Sequence, residues 1–132
     1  MASFLSCQST RGSTVTTRQT IEGYFSSLQR KDGWENYFAD DLVFTSFVSP
    51  VKRVSGRSAF LQATKGFYGM IVSFEVQTLL VEGDRACATT RYQLQPPAGP
   101  AFTSDVAELF AVSEGRIRSL EIYFDSAAFP RR

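Results

Sequence analysis

Between Ile71 and Phe124 the chain alternates long runs of strand-forming residues with short breaks. The runs read IVSFEVQTLLV, ACATTRYQLQ, AFTSDVAELFAV and IRSLEIYF, and the breaks read EGDR, PPAGP and SEGR. β-Branched and aromatic side chains fill the runs, and Gly, Pro or charged residues fill each break. That grammar predicts a four-stranded antiparallel meander. Everything before it has to supply elements that lie against this sheet.

The preceding residues give two helical patterns and one strand. Ile21, Tyr24, Phe25 and Leu28 recur at helical spacing from Thr17, with Thr16 or Thr17 as cap and Lys31-Asp32-Gly33 as stop. A short helix is expected over Trp34–Phe38, and a strand over Leu42–Phe47, closed by Pro50. Gly56-Arg57-Ser58 opens another helix, with Ser58 as candidate cap and Phe60, Ala63 or Thr64, and Phe67 on its inner face. Gly66 and Gly69 weaken its end. Helices grouped ahead of strands indicate an α+β fold rather than alternating parallel units. Residues 1–16 form the expected flexible leader, since residues 1 to 17 hold eight Ser or Thr, and residues 17–132 form one domain.

Composition narrows function by exclusion. The 132 residues carry 14 basic and 13 acidic side chains without a dense basic cluster, which argues against nucleic acid or an anionic membrane as partner. There is no histidine, so a Ser-His-Asp or Cys-His mechanism has no base in this chain, and a carboxylate has to move any proton. With two cysteines, Cys7 and Cys87, and no histidine, a zinc site is not expected. No run reaches the roughly 18 apolar residues of a membrane span, and MASFLSC lacks the basic and apolar regions of a signal peptide. A cytoplasmic protein is the expectation. Twelve Phe and five Tyr suit either a ring-rich core or an aromatic-lined pocket.

Five words, IEGYFSSLQRKD, YFADDLVFTSF, VSGRSAF, EGDRACATTRYQL and GRIRSLEIYFD, occur in an order and spacing that resemble the nuclear-transport-factor-2-like superfamily, especially its SnoaL-like branch. The resemblance runs from Thr17 to Phe129. It implies a cone-shaped, strongly curved, mostly antiparallel sheet, the α+β roll also called cystatin-like, wrapped around a pocket and closed by the N-terminal helices. It further implies a small apolar organic ligand and cofactor-free acid–base chemistry of cyclase, isomerase or dehydratase type. The alternative within the same fold is a non-catalytic ligand-binding or dimerisation module. A homodimer is expected because both faces of the meander are partly apolar.

Residue roles follow from three relatives. Compared with ketosteroid isomerase, Tyr24 takes the place of the tyrosine that holds the oxyanion and Glu108 that of the protonated acid, while the base position falls on Ser46. Compared with limonene-epoxide hydrolase, Arg91-Tyr92-Gln93 stands for its Arg-x-Asp and Phe44-Thr45-Ser46 for its Tyr-x-Asn. The missing carboxylate at Gln93 disfavours epoxide hydrolysis. Compared with SnoaL-like polyketide cyclases, Asp125 in YFDSAAF takes the place of the acid–base aspartate. The catalytic set implied is Asp125, Tyr24, Glu108 and Arg91. Ligand contacts are expected from Phe44, Ser46 and Phe60, and from Gln93, Phe110, Leu120 and Ile122.

Each role has a structural counterpart. Tyr24 is equally a core aromatic, Asp125 a turn cap, and Arg91 half of a cross-strand surface pair instead of a partner for Asp125 or Glu108. Cys87 reads as a small buried residue, and Trp34 as a wedge in the core. Glu108 is an inward carboxyl if Val106, Phe110 and Val112 face the core, and an outward one if Ala107, Leu109 and Ala111 do. Alternation alone leaves both open.

Overall fold

The computed structural model describes residues 15–48 and 50–129. The leader expected over residues 1–16 therefore lies, apart from Val15 and Thr16, outside the described residues, as does Cys7. Helix α1, Thr17–Arg30, begins with a reciprocal capping box. The Gln19 N–H donates to Thr16 Oγ1 and the Thr16 N–H to Gln19 Oε1, each at 3.0 Å. It ends where Lys31 turns left-handed at φ 57°, so that Lys31 N–H reaches Leu28 O and Asp32 N–H reaches Ser27 O. The apolar stripe of Ile21, Tyr24, Phe25 and Leu28 is buried as its spacing predicted.

A single 3-10 turn, Trp34–Tyr37, replaces the expected short helix and leads into strand β1, Phe38–Ser46. β1 starts earlier than the expected strand because Phe38 and Ala39 are buried and already extended. It pairs antiparallel with β2, Lys52–Ser55, an element the sequence reading did not contain. Helix α2, Arg57–Met70, follows, capped by Gly56 without any side-chain bond, so Ser58 is not the cap. Gly66 and Gly69 do not end α2; it runs on to Met70 and passes directly into the sheet.

The meander is present as expected: β3, Ile71–Glu82; β4, Arg85–Leu94; β5, Phe102–Ser113; and β6, Arg116–Phe124. In the turn between β5 and β6, Glu114 and Gly115 both have positive φ, at 53° and 75°, the pattern of a type I′ hairpin. The six strands form one sheet in the order β2-β1-β6-β5-β4-β3. All neighbours are antiparallel except β1 and β6. Register shifts interrupt β1, β3 and the β5–β6 ladder, and such bulges bend a sheet and tighten its twist. The result is a curled open sheet with both helices on its concave side. Rings bridge the layers: Tyr24 meets Phe38 and Phe110, and Phe60 of α2 meets Phe38 and Phe44 of β1.

Candidate functional site

Beside this ring-packed core, α2 stands off the sheet and leaves a cavity of about 230 Å3. Its walls are apolar: Phe60, Ala63 and Phe67 come from α2, Phe44 and Val54 from β1 and β2, and Val106, Leu120, Ile122 and Phe124 from β5 and β6. Phe129, beyond β6, packs its ring on Phe124 at 5.0 Å and completes the wall. Five of the expected contacts, Phe44, Ser46, Phe60, Leu120 and Ile122, do line this space. Phe110 does not. Its ring is fully buried against Tyr24 and Phe25 and belongs to the core.

Among the described residues one carboxyl opens into the cavity, that of Glu108. The residue is 4% exposed, so β5 turns Val106, Glu108 and Phe110 inward and leaves Ala107 and Leu109 on the other face. Thr90 Oγ1 donates to Glu108 Oε1 and Tyr92 Oη donates to Oε2, each at 2.8 Å. Both donors come from β4, the neighbouring strand, whose inward face carries Ala88, Thr90 and Tyr92. Burial pushes the Glu108 carboxyl up to about 7 from the usual 4.5, and the hydrogen bonds from Tyr92 and Thr90 only partly oppose it. A carboxyl so placed exchanges its proton near neutrality, which an exposed one does not.

A second polar pair lies nearby. Tyr24 Oη and Tyr68 Oη are 2.7 Å apart, each able to donate to the other. Tyr24 is fully enclosed, whereas Tyr68, from the last turn of α2, lines the cavity. Burial raises both hydroxyls well above the ordinary tyrosine range, so they stay protonated and can only donate or accept neutral hydrogen bonds. Trp34 stacks on Tyr68 at 4.1 Å and fixes its ring. Tyr68 was not among the expected site residues. Its signal lay in its spacing from Phe60, Thr64 and Phe67, hidden by the assumption that Gly66 weakens the helix there.

The remaining expected residues lie elsewhere. Asp125 is exposed, follows β6, and accepts the Ala127 N–H at 2.9 Å as the cap of a short 3-10 turn. Arg91 sits on the outer face of β4 and forms a two-pronged pair with Asp105 directly across on β5, at 2.8 and 3.1 Å. Gln93, on the same outer face, accepts from Thr103 Oγ1 at 2.8 Å. None of the three lines the cavity, because each stands an odd number of residues from the inward positions of β4 or ends its strand. Cys87, expected to be buried, is half-exposed on that outer face.

Comparison with known proteins agrees with this architecture. The family model described as SnoaL-like domain matches residues 12–120. An NTF2-like protein from Burkholderia thailandensis has a TM-score of 0.74 at 18% identity, over 87% of this chain and 95% of that one. An LEH-like epoxide hydrolase of M. tuberculosis gives 0.69 at 19% identity, over 85% and 84%. A Mesorhizobium loti protein provisionally assigned as a SnoaL-like polyketide cyclase gives 0.69 at 21%, over 83% and 99%. At such identities the likeness is one of fold. No curated protein matches the chain in sequence.

Proposed function

Since the chain belongs to the SnoaL-like domain family, we propose that its cavity binds a small, largely apolar organic molecule and that Glu108 moves a proton on it. The reaction class is a cofactor-free cyclisation, isomerisation or dehydration. The observation that carries this reading is a single carboxyl, buried among apolar walls and held near neutral proton affinity by burial. Each of its oxygens receives one protein hydrogen bond and keeps a second lone pair. The ionised form can therefore accept a substrate proton, and the protonated form can return it at another atom. Tyr68, its hydroxyl braced by Tyr24, is the donor for charge that develops on a substrate oxygen. Asp125 and Arg91, outside the cavity, take no part in this scheme.

The test is a thermal-shift screen against steroid-, terpenoid- and polyketide-like compounds, followed by turnover of each stabilising compound. Glu108→Gln is expected to keep binding and to lose about a hundredfold or more in turnover. Equal turnover by the variant removes Glu108 from the mechanism. Compounds that bind and are never altered support the non-catalytic reading instead.

A homodimer belongs to the same proposal. On the outer face of the sheet Leu80 is 64% and Tyr123 46% exposed. Register places Leu80, Cys87 and Leu109 side by side on three adjacent strands. Such an apolar row on a curled sheet suits a second copy laid face to face.

A further inference from the structure

Among the described residues one cation, Lys52, borders the cavity, and its place in the sheet is defined by register. Glu108 on β5 lies opposite Ile122 on β6, Ile122 lies opposite Ser46 on β1, and Ser46 lies opposite Lys52 on β2. Paired residues share a face, so these four form one transverse row on the concave side, and all four line the cavity. Three strand spacings of about 4.8 Å separate the ends of the row by about 14 Å at most, and the curl shortens that span. Lys52 is exposed at the edge, and none of the ion pairs among the described residues involves it. Asp125, three residues beyond Ile122, caps the turn after β6 through Oδ1 and is not in an ion pair with Lys52.

From this row we infer that the ligand is an apolar carboxylate, its hydrocarbon body in the cavity, its anionic end at Lys52 and Ser46, and its reacting carbon at Glu108. The inference rests on the cavity being the ligand site. A single ammonium beside a single hydroxyl matches a monoanion; a doubly charged phosphate would leave charge unpaired. An exposed lysine at the edge of an apolar cavity can lay its four-carbon stem along the wall while its head stays in water, so an anion is met at the rim with little desolvation. The row also sets polarity: an anion at the far end from Glu108 is kept from a carboxylate that must itself ionise, and the substrate enters in one orientation.

Calorimetric titration with phenylbutyrate and with phenylbutanol, at about pH 6 where the acid is ionised, tests it. The wild-type protein should bind the carboxylate about three- to fivefold more tightly than the alcohol, a preference that shrinks at high salt. Lys52→Met, which keeps the stem and removes the charge, should abolish the preference without weakening phenylbutanol, and Lys52→Arg should restore it. Equal affinities in the wild type, or a preference that survives in Lys52→Met, overturns the inference. Phenylbutanol binding without preference overturns the anionic end alone, whereas binding of neither probe overturns the cavity reading with it.

Discussion

At the scale of single residues, Glu108 shows how one environment serves chemistry and costs stability. In the unfolded chain its carboxyl ionises near the ordinary 4.5, and in the fold only near 7. Below the lower value both states hold the proton and the fold is not penalised. As pH rises from about 4.5 to about 7 the unfolded state ionises first, so stability falls, by roughly 3 kcal/mol in all. The chain has no histidine to titrate inside that window. Glutamine resembles the protonated acid and cannot ionise, and it still accepts from Thr90 or Tyr92. Glu108→Gln should therefore match the wild type near pH 4.5 and exceed it by about 1–3 kcal/mol near pH 8 in urea unfolding. A difference between the two that does not vary with pH would show that the Glu108 carboxyl ionises alike in the folded and unfolded chain.

At the scale of elements, glycines on the two helices should respond in opposite directions. Gly23 of α1 lies under Tyr37: an added Cβ would stand 2.5 Å from the phenol oxygen and 2.9 Å from the ring. The usual helical gain of Gly→Ala is thus overridden, and Gly23→Ala should lower the melting temperature. Gly66 and Gly69 of α2 have nothing within 4 Å of such a Cβ, so alanine at each should add about 0.5–1 kcal/mol. The same elements explain what the sequence disclosed. The meander was legible because its breaks are turn chemistry and its strands long. β2 was not, because Lys52, Arg53 and Ser55 are exposed and leave no alternation to read. The facing of Glu108 looked ambiguous on β5, where Ala107, Leu109 and Ala111 also are apolar. The answer lay on β4, where Arg91 and Gln93 mark an outer face; pairing Arg91 with Asp105 puts Glu108, three residues on, inside. Asp125 illustrates the opposite limit, since a motif position fixes residue type but not whether the last strand ends before or after the cavity.

At the scale of the whole molecule, the sheet separates two surfaces whose roles can be tested independently. Side chains alternate across it, so Val106, Glu108 and Ile122 serve the cavity while Ala107, Leu109 and Tyr123 face away. No helix among the described residues is long and apolar enough to cross a membrane. If a second copy covers the outer row, the contact has to bury Leu80, and one charge there places an unpaired ammonium in an apolar interface on each protomer. On that proposal the wild type should sediment as a dimer at micromolar concentration and Leu80→Lys as a monomer. Thermal shifts by cavity ligands should be unchanged in the monomeric variant, because β3 contributes no residue to the cavity wall. A monomeric wild type would remove the dimer and leave the cavity untouched. Loss of ligand response together with the dimer would instead mean that the two faces of the sheet are coupled, with the partner holding the curl that keeps α2 off the sheet.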